Sequence, residues 1–177
     1  MSKLSIKQSG WVWLWITIIF LALDQATKLW ADANLAPVFD GPIVEVMPHF
    51  DLNLAYNYGA AFSFLGDQDG WQRWFFTAIA SGISILLLVW LRRTPAEKKL
   101  QNIGMALVLS GALGNLYDRV AYGYVIDFID WYLAKDGYHW PTFNIADSVI
   151  LIGVGLLLID AFKNPENATK KQKKDLD

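Results

Sequence analysis

Long apolar stretches recur along the chain, separated by shorter polar segments. Four of these stretches have about 20 mainly apolar residues, the length that a helix needs to cross a bilayer. Backbone groups in lipid must be hydrogen-bonded within their own segment, so each stretch is expected to be helical. We therefore predict an α-helical membrane protein with four transmembrane helices, at about residues 10–29, 71–91, 100–122 and 143–162.

Between the first and second stretches, the pattern changes from continuous to alternating. Apolar and polar residues alternate over residues 50–58 with the period of a β-strand, and the apolar face carries Phe50, Leu52, Leu54, Tyr56 and Tyr58. We predict a small β-sheet at about residues 34–66, with a short helix or loop beside it on the same side of the membrane. The pattern leaves open whether its aromatic face contacts a lipid-like ligand or packs on the protein's own helices.

The basic residues predict the orientation. Most of the 15 Lys and Arg residues precede the first stretch, join the second to the third, or follow the fourth. Basic flanks stay in the cytoplasm, so both termini are predicted to be cytoplasmic, and the sheet is predicted to face outward. The first stretch also resembles a cleavable signal peptide, but we interpret it as a retained span. We expect residues 1–163 to form a single membrane domain, and residues 164–177 to form a disordered basic tail.

Composition narrows the function classes. The 177 residues are 54% hydrophobic and only 18% charged, which is too apolar for a typical soluble domain, and the net charge of −2 suggests no nucleic-acid partner. The absence of cysteine excludes disulfides, thiolate metal sites and a cysteine nucleophile. His49 and His139 are the only histidines, and the chain has no phosphate loop or nucleophile elbow. No metal or other cofactor is therefore expected.

Polar residues cluster where the third stretch ends. Asn115, Asp118 and Arg119 are spaced i, i+3 and i+4, so they share one face of a helix. A charge at the centre of a membrane helix is disfavoured by about 2.5–3.5 kcal/mol, so such residues often mark a functional site. The alternative is structural, because an Asp118–Arg119 ion pair and the helix dipole would order the helix end.

Two aspartates flank the last outward loop. Asp127 lies in apolar sequence, and Asp147 is the third residue of a helix that Asn144 would cap, although an acid there also suits a purely capping role. The third stretch exits and the fourth re-enters at one membrane level, so both carboxylates are expected there. Two close, desolvated carboxylates share one proton. The ionised one can deprotonate water and the other can polarise a scissile carbonyl, as in aspartic proteolysis. Asp130 is interpreted as a solvated interfacial charge.

Other interpretations stay open at this point. Asp24 has a local partner in Lys28 at i+4, and Asn57 precedes a glycine as a turn asparagine does. The same carboxylates could form the relay of a proton-coupled transporter, although they cluster at one face of the membrane. A non-catalytic scaffold that binds lipid is a further alternative.

Five blocks of sequence, taken together, resemble one family. They cover nearly the whole chain in the same order as in bacterial lipoprotein signal peptidase, also called signal peptidase II. The blocks are LDQATK at 23–28, NYGAAF at 57–62, GALGNLYDR at 111–119, VIDF at 125–128 and FNIADS at 143–148.

The resemblance implies an aspartic endopeptidase of the bacterial inner membrane, with its active site near the periplasmic face. Its substrates would be diacylglyceryl-modified prolipoproteins, cut just before the lipidated cysteine, and the outward sheet would be a cradle for them. Membrane lipid and globomycin-like peptide inhibitors would be further partners, and we expect a monomer. Asp127 and Asp147 correspond to the catalytic pair. The positions that support the pair or contact substrate are Asp24, Asn57, Gly59, Asn115, Asp118, Arg119, Asn144 and Ala146.

Overall fold

Continuous apolar sequence forms the long helices of the protein. The computed structural model describes residues 4–37, 43–59, 70–135 and 137–164. Within these ranges, two short 3₁₀ helices precede four α-helices: α1 (Leu14–Asn34), α2 (Trp71–Arg93), α3 (Lys99–Ala121) and α4 (Ile145–Lys163). The predicted helices are all present, with ends that differ from the prediction by at most five residues. Helix α4 begins two residues later than predicted because Asn144 caps it.

Three of these helices are long and apolar enough to cross a membrane. They are α2, α4 and the segment Gly10–Asn34, which includes α1. Each exposes large apolar side chains, among them Ile18, Ile85 and Leu151. Helix α3 is long enough but does not meet the same hydropathy criterion. It packs against the other three helices and buries polar side chains between them, so its crossing of the membrane stays a prediction.

Small residues bring α4 and α1 close to α3. A Cβ atom on Gly111 would collide with the backbone oxygen of Ala146, and one on Gly114 would collide with the Asp24 carboxylate. Close approach of helix backbones through small residues is typical of membrane proteins. The first turn of α4 therefore lies directly against α3, with a carboxylate from α1 beside both.

A three-stranded antiparallel sheet, in the order β1-β2-β3, lies at one end of the helices. Its strands are β1 (Val44–Met47), β2 (Phe50–Asn57) and β3 (Val125–Trp131). Strand β2 was predicted, whereas β3 was not. Residues 125–130 are all buried, so β3 lacks the alternation that identifies a half-exposed strand. The loop predicted beside the sheet is present over the described residues 132–135 and 137–144. Residues 38–42 and 60–66 of the predicted sheet region lie outside the described residues.

The two ends of the apolar face of β2 differ in their surroundings. Leu54 is buried in a cluster with Ala31 and Leu35, where α1 ends, and Phe50 and Leu52 pack against the same cluster. Tyr56 and Tyr58 are exposed. Part of the predicted aromatic face thus packs on the protein's own helices, and the part nearest the end of β2 remains open to a ligand.

Candidate active site

Strand β3 holds Asp127 in a buried position opposite Ala55 of β2. Both carboxylate oxygens accept a hydrogen bond from an amide. Asn57 Nδ2 donates to Oδ2 over 3.0 Å, and Asn144 Nδ2 donates to Oδ1 over 2.6 Å. The lone carboxylate predicted in apolar sequence is therefore supplied with donors by β2 and by the start of α4.

Asp147 lies in the first turn of α4, where it takes part in a capping box. Its backbone N–H donates to Asn144 Oδ1 over 3.0 Å, and its Oδ2 accepts from the Asn144 N–H over 3.3 Å. Asn115 Nδ2, from α3, donates to its Oδ1 over 2.8 Å. The predicted capping role and the predicted approach to other site residues are thus both present in one side chain.

Asn144 is the residue that joins the two aspartates. Its Oδ1 accepts from the backbone N–H of Asp147, so its Nδ2 points the other way, to Asp127. Just before it, the Phe143 carbonyl accepts hydrogen bonds from Phe128 and Ile129, which ties β3 to the start of α4. The loop between the aspartates therefore returns to its own strand and brings them to the same amide.

The environment of Asp127 favours a shared proton. Burial is the main cause that raises its pKa to about 7, and the nearby charge of Asp147 adds to the effect. Hydrogen bonds from Asn57 and Asn144 and the charge of Lys28 act in the opposite direction. A carboxyl with this pKa can hold a proton or release it near neutral pH.

A buried ion cluster supports the site from α1 and α3. Lys28 Nζ lies 3.0 Å from Asp24 Oδ2, the i+4 pair that was predicted, and 2.9 Å from Asp118 Oδ2. Asp24 Oδ1 also accepts from the Ala146 backbone N–H over 2.8 Å. The predicted alternative of a local Asp118–Arg119 pair is wrong, because Asp118 pairs with Lys28 and the Arg119 guanidinium donates to backbone carbonyls. The cluster links three helices at the start of α4.

Arg119 connects α3 to the end of β2. Its guanidinium donates to the carbonyls of Asn115 and Gly59 over 3.2 and 3.0 Å. The Gly59 N–H in turn donates to Asn57 Oδ1 over 3.0 Å, which is the predicted turn role of that asparagine. The other eight predicted site residues are therefore all brought together around the two aspartates. Residues 60–62, the rest of the sequence block that begins at Asn57, lie outside the described residues.

A second buried polar cluster lies at the other end of the β2–β3 ladder and was not predicted. Asp130 is buried, so its assignment as a solvated interfacial charge is wrong. Asn53 Nδ2 donates to it over 2.9 Å, and His139 Nδ1 lies 2.9 Å from its Oδ2. Asp51 pairs with Asp130 in the strand register. This cluster can be recognised only when the pairing of β2 with β3 is known. The spacing of Asp51, Asn53 and Asp130 in the sequence indicates that they lie together only in combination with that strand register.

Sequence reasoning also missed the wider role of Lys28, which was considered only as a local partner of Asp24.

No grouping of His, Asp or Glu within the described ranges could hold a metal ion.

Comparison with known proteins gives consistent results. A family model described as signal peptidase (SPase) II matches residues 16–163. A lipoprotein signal peptidase of Vibrio cholerae is 46% identical over 167 residues, covering 94% of this chain and 96% of that protein. One from Photorhabdus laumondii is 48% identical over 166 residues, with the same coverage. A solved bacterial membrane enzyme has a TM-score of 0.74 at 34% identity, covering 86% of this chain and 88% of its own.

Proposed function

The chain belongs to the signal peptidase II family, and we propose that it acts as an aspartic endopeptidase of the bacterial inner membrane. It is a multi-pass membrane peptidase that cleaves signal peptides from prolipoproteins. The relatives give no support to the alternative of a proton-coupled transporter. The proposal beyond this concerns the catalytic type, the residues and the side of the membrane.

The observation that carries the proposal is the position of Asn144 between Asp127 and Asp147. One of these carboxylates, ionised, accepts a proton from a water molecule, which attacks the scissile carbonyl. The other, protonated, donates a hydrogen bond to that carbonyl oxygen. When the peptide bond breaks, the leaving nitrogen takes a proton from the pair. Because the proton belongs to the pair, its titration belongs to both residues.

The surrounding residues supply positioning and substrate contacts. One set of residues positions the two carboxylates and the helices α3 and α4 that carry the site: Asp24, Asn115, Asp118, Asn144 and Ala146. A second set connects the end of β2 to this centre: Asn57, Gly59 and Arg119. The exposed tyrosines at this end of β2 are proposed to contact the substrate.

The substrate and setting complete the proposal. The substrate is a diacylglyceryl-modified prolipoprotein, cut just before its lipidated cysteine, and globomycin-like peptides would compete for the same position. Both termini are cytoplasmic, α3 is a fourth span, and the sheet is a periplasmic cradle against membrane lipid. The protein acts as a monomer, with residues 1–163 as its single membrane domain.

The experiment is cleavage of a lipidated precursor by purified variants. Asp127→Asn and Asp147→Asn each lose at least about 100-fold in kcat, because each removes one of the two acid–base groups. Asp130→Asn is the matched control: Asp130 lies on the same strand, is buried and also accepts from a β2 asparagine. It retains cleavage within about threefold of the unmodified protein. Retained cleavage by either of the first two variants, with the protein folded, would overturn the assignment.

A further inference from the structure

Lys28 is a buried cation that contacts the site through one amide. Its side chain is 1% exposed, and its Nζ lies 2.9 Å from Asn115 Oδ1 in addition to its two carboxylate partners. An ammonium group has only donors, so the atom of Asn115 that faces it must be the oxygen. The Nδ2 group of Asn115 is thereby directed away from Lys28 and donates to Asp147 Oδ1.

The other two amides around the aspartates are oriented in the same way, but by backbone groups. Asn57 Oδ1 accepts from the Gly59 N–H, and Asn144 Oδ1 accepts from the Asp147 N–H. Backbone donors of this kind persist under any side-chain substitution except proline. Among the residues that the structure describes, Lys28 is the one cationic side chain with this role.

A second donor does approach Asn115 Oδ1, but its main partners lie elsewhere. Asn144 Nδ2 is 3.3 Å from Asn115 Oδ1, whereas it is 2.6 Å from Asp127 Oδ1 and 3.2 Å from the Ile126 carbonyl. Without Lys28, the Asn115 amide could rotate by a half turn and present its oxygen to Asp147. Two acceptors would then face each other, unless Asp147 carried a proton on that oxygen.

We propose that Lys28 is a positioning residue for the catalytic pair: it locks the Asn115 amide so that Asp147 Oδ1 stays a hydrogen-bond acceptor. The shared proton is thereby kept off this oxygen. This inference rests on the proposed function, because it assigns a role within the same pair. Lys28 acts through Asn115, not by contact with the substrate.

The test must separate this role from simple stabilisation, since loss of Lys28 alone leaves Asp24 and Asp118 buried without their cation. Asp24→Asn/Lys28→Met has the same net charge as the unmodified cluster, so it is compared with the unmodified protein as well as with Asp24→Asn, and all three proteins are also made with Asn115→Ala added. Purified proteins are assayed for kcat and KM on a lipidated precursor, for the pH dependence of kcat/KM, and for thermal unfolding.

Removal of Lys28 is expected to lower kcat by about 10-fold or more while KM changes less than about twofold. The fall of kcat/KM at high pH moves to higher pH, because the Lys28 charge no longer lowers the pKa of Asp127. With Asn115→Ala present, removal of Lys28 changes kcat by less than about twofold.

An equal loss of kcat with and without Asn115 would overturn the inference, as would an unchanged kcat and pH profile. If Asp24→Asn/Lys28→Met does not fold, Asp118→Asn/Lys28→Met is compared in the same way with the unmodified protein and with Asp118→Asn. The proposed function fails separately, through activity of Asp127→Asn or Asp147→Asn, and stands if only the Lys28 result is negative.

Discussion

The two buried carboxylates of β3 have similar hydrogen-bond partners and different charged neighbours. Asp127 accepts from Asn57 over 3.0 Å, and Asp130 accepts from Asn53 over 2.9 Å, so each receives an amide from β2. Asp130 then faces His139, a group that can carry the opposite charge, whereas Asp127 lies near the like charge of Asp147. A buried aspartate of β3 that accepts a hydrogen bond from a β2 amide therefore does not by itself form a catalytic site.

The two carboxylates differ in whether a proton beside them is available for chemistry. Both ring nitrogens of His139 face acceptors, Asp130 Oδ2 at 2.9 Å and the Lys135 carbonyl at 3.1 Å. The hydrogen bond to Lys135 and then the one to Asp130 raise the pKa of His139, so this cluster favours a closed ion pair. Around Asp127, burial and a second carboxylate disfavour two charges, which leaves a proton available for chemistry.

The largest contrast is expected from substitution of the two β2 amides. Asn57→Ala removes a donor from a carboxylate that must ionise during the reaction, so it should lower kcat/KM by about 10-fold or more. Asn53→Ala should leave kcat/KM within about threefold, although it leaves Asp130 short of a donor and lowers the free energy of unfolding by about 1–3 kcal/mol. Kinetics and thermal unfolding of both purified variants check this. If the two variants lose activity equally, the sheet acts as one structural unit and the contrast fails.

A smaller effect is expected at the His139 end. Because the pKa of His139 is raised on folding, its contribution to stability is fully present below its unfolded pKa and is lost as the pH rises through its folded pKa. Thermal unfolding of the unmodified protein should therefore shift to slightly lower temperature as the pH rises above about 6.5. In His139→Gln this part of the pH dependence should disappear, with cleavage at a fixed pH unchanged. A pH dependence of unfolding that is identical in both proteins would contradict the ion pair.

The same contrast explains what could be predicted from the sequence. The four helices follow from the length of the apolar stretches and β2 from its alternation, and Asn144 with Asp147 follows from capping chemistry. Strand β3 could not be recognised, because it is buried on both faces and lacks the alternation of a half-exposed strand. Because β3 was not predicted, Asp130 was assigned to solvent. For the same reason, Asp127 and Asp147 could be expected to approach each other only because both lie at the same level of the membrane.

Contacts between distant helices were the second limit. Lys28 has an obvious local partner at i+4, and nothing in that spacing shows that Asp118 and Asn115 of α3 complete its environment. Likewise, α3 was predicted as an ordinary span. Its buried Asn102 and Asp118 reflect its place among the other three helices, because Asn102 Nδ2 donates to the Pro95 carbonyl and Asp118 pairs with Lys28 of α1.

The most direct test of the central claim is the pH dependence of kcat/KM for a lipidated precursor, measured with the purified protein. A pair that needs one protonated and one ionised carboxylate gives a bell-shaped profile. Because the pKa of Asp127 is raised to about 7, kcat/KM should fall as the pH rises through that region, and it should fall again in acid when both carboxyls are protonated. Asp130→Asn should give the same curve. A rate that stays constant from about pH 6 to pH 9 would contradict the shared proton.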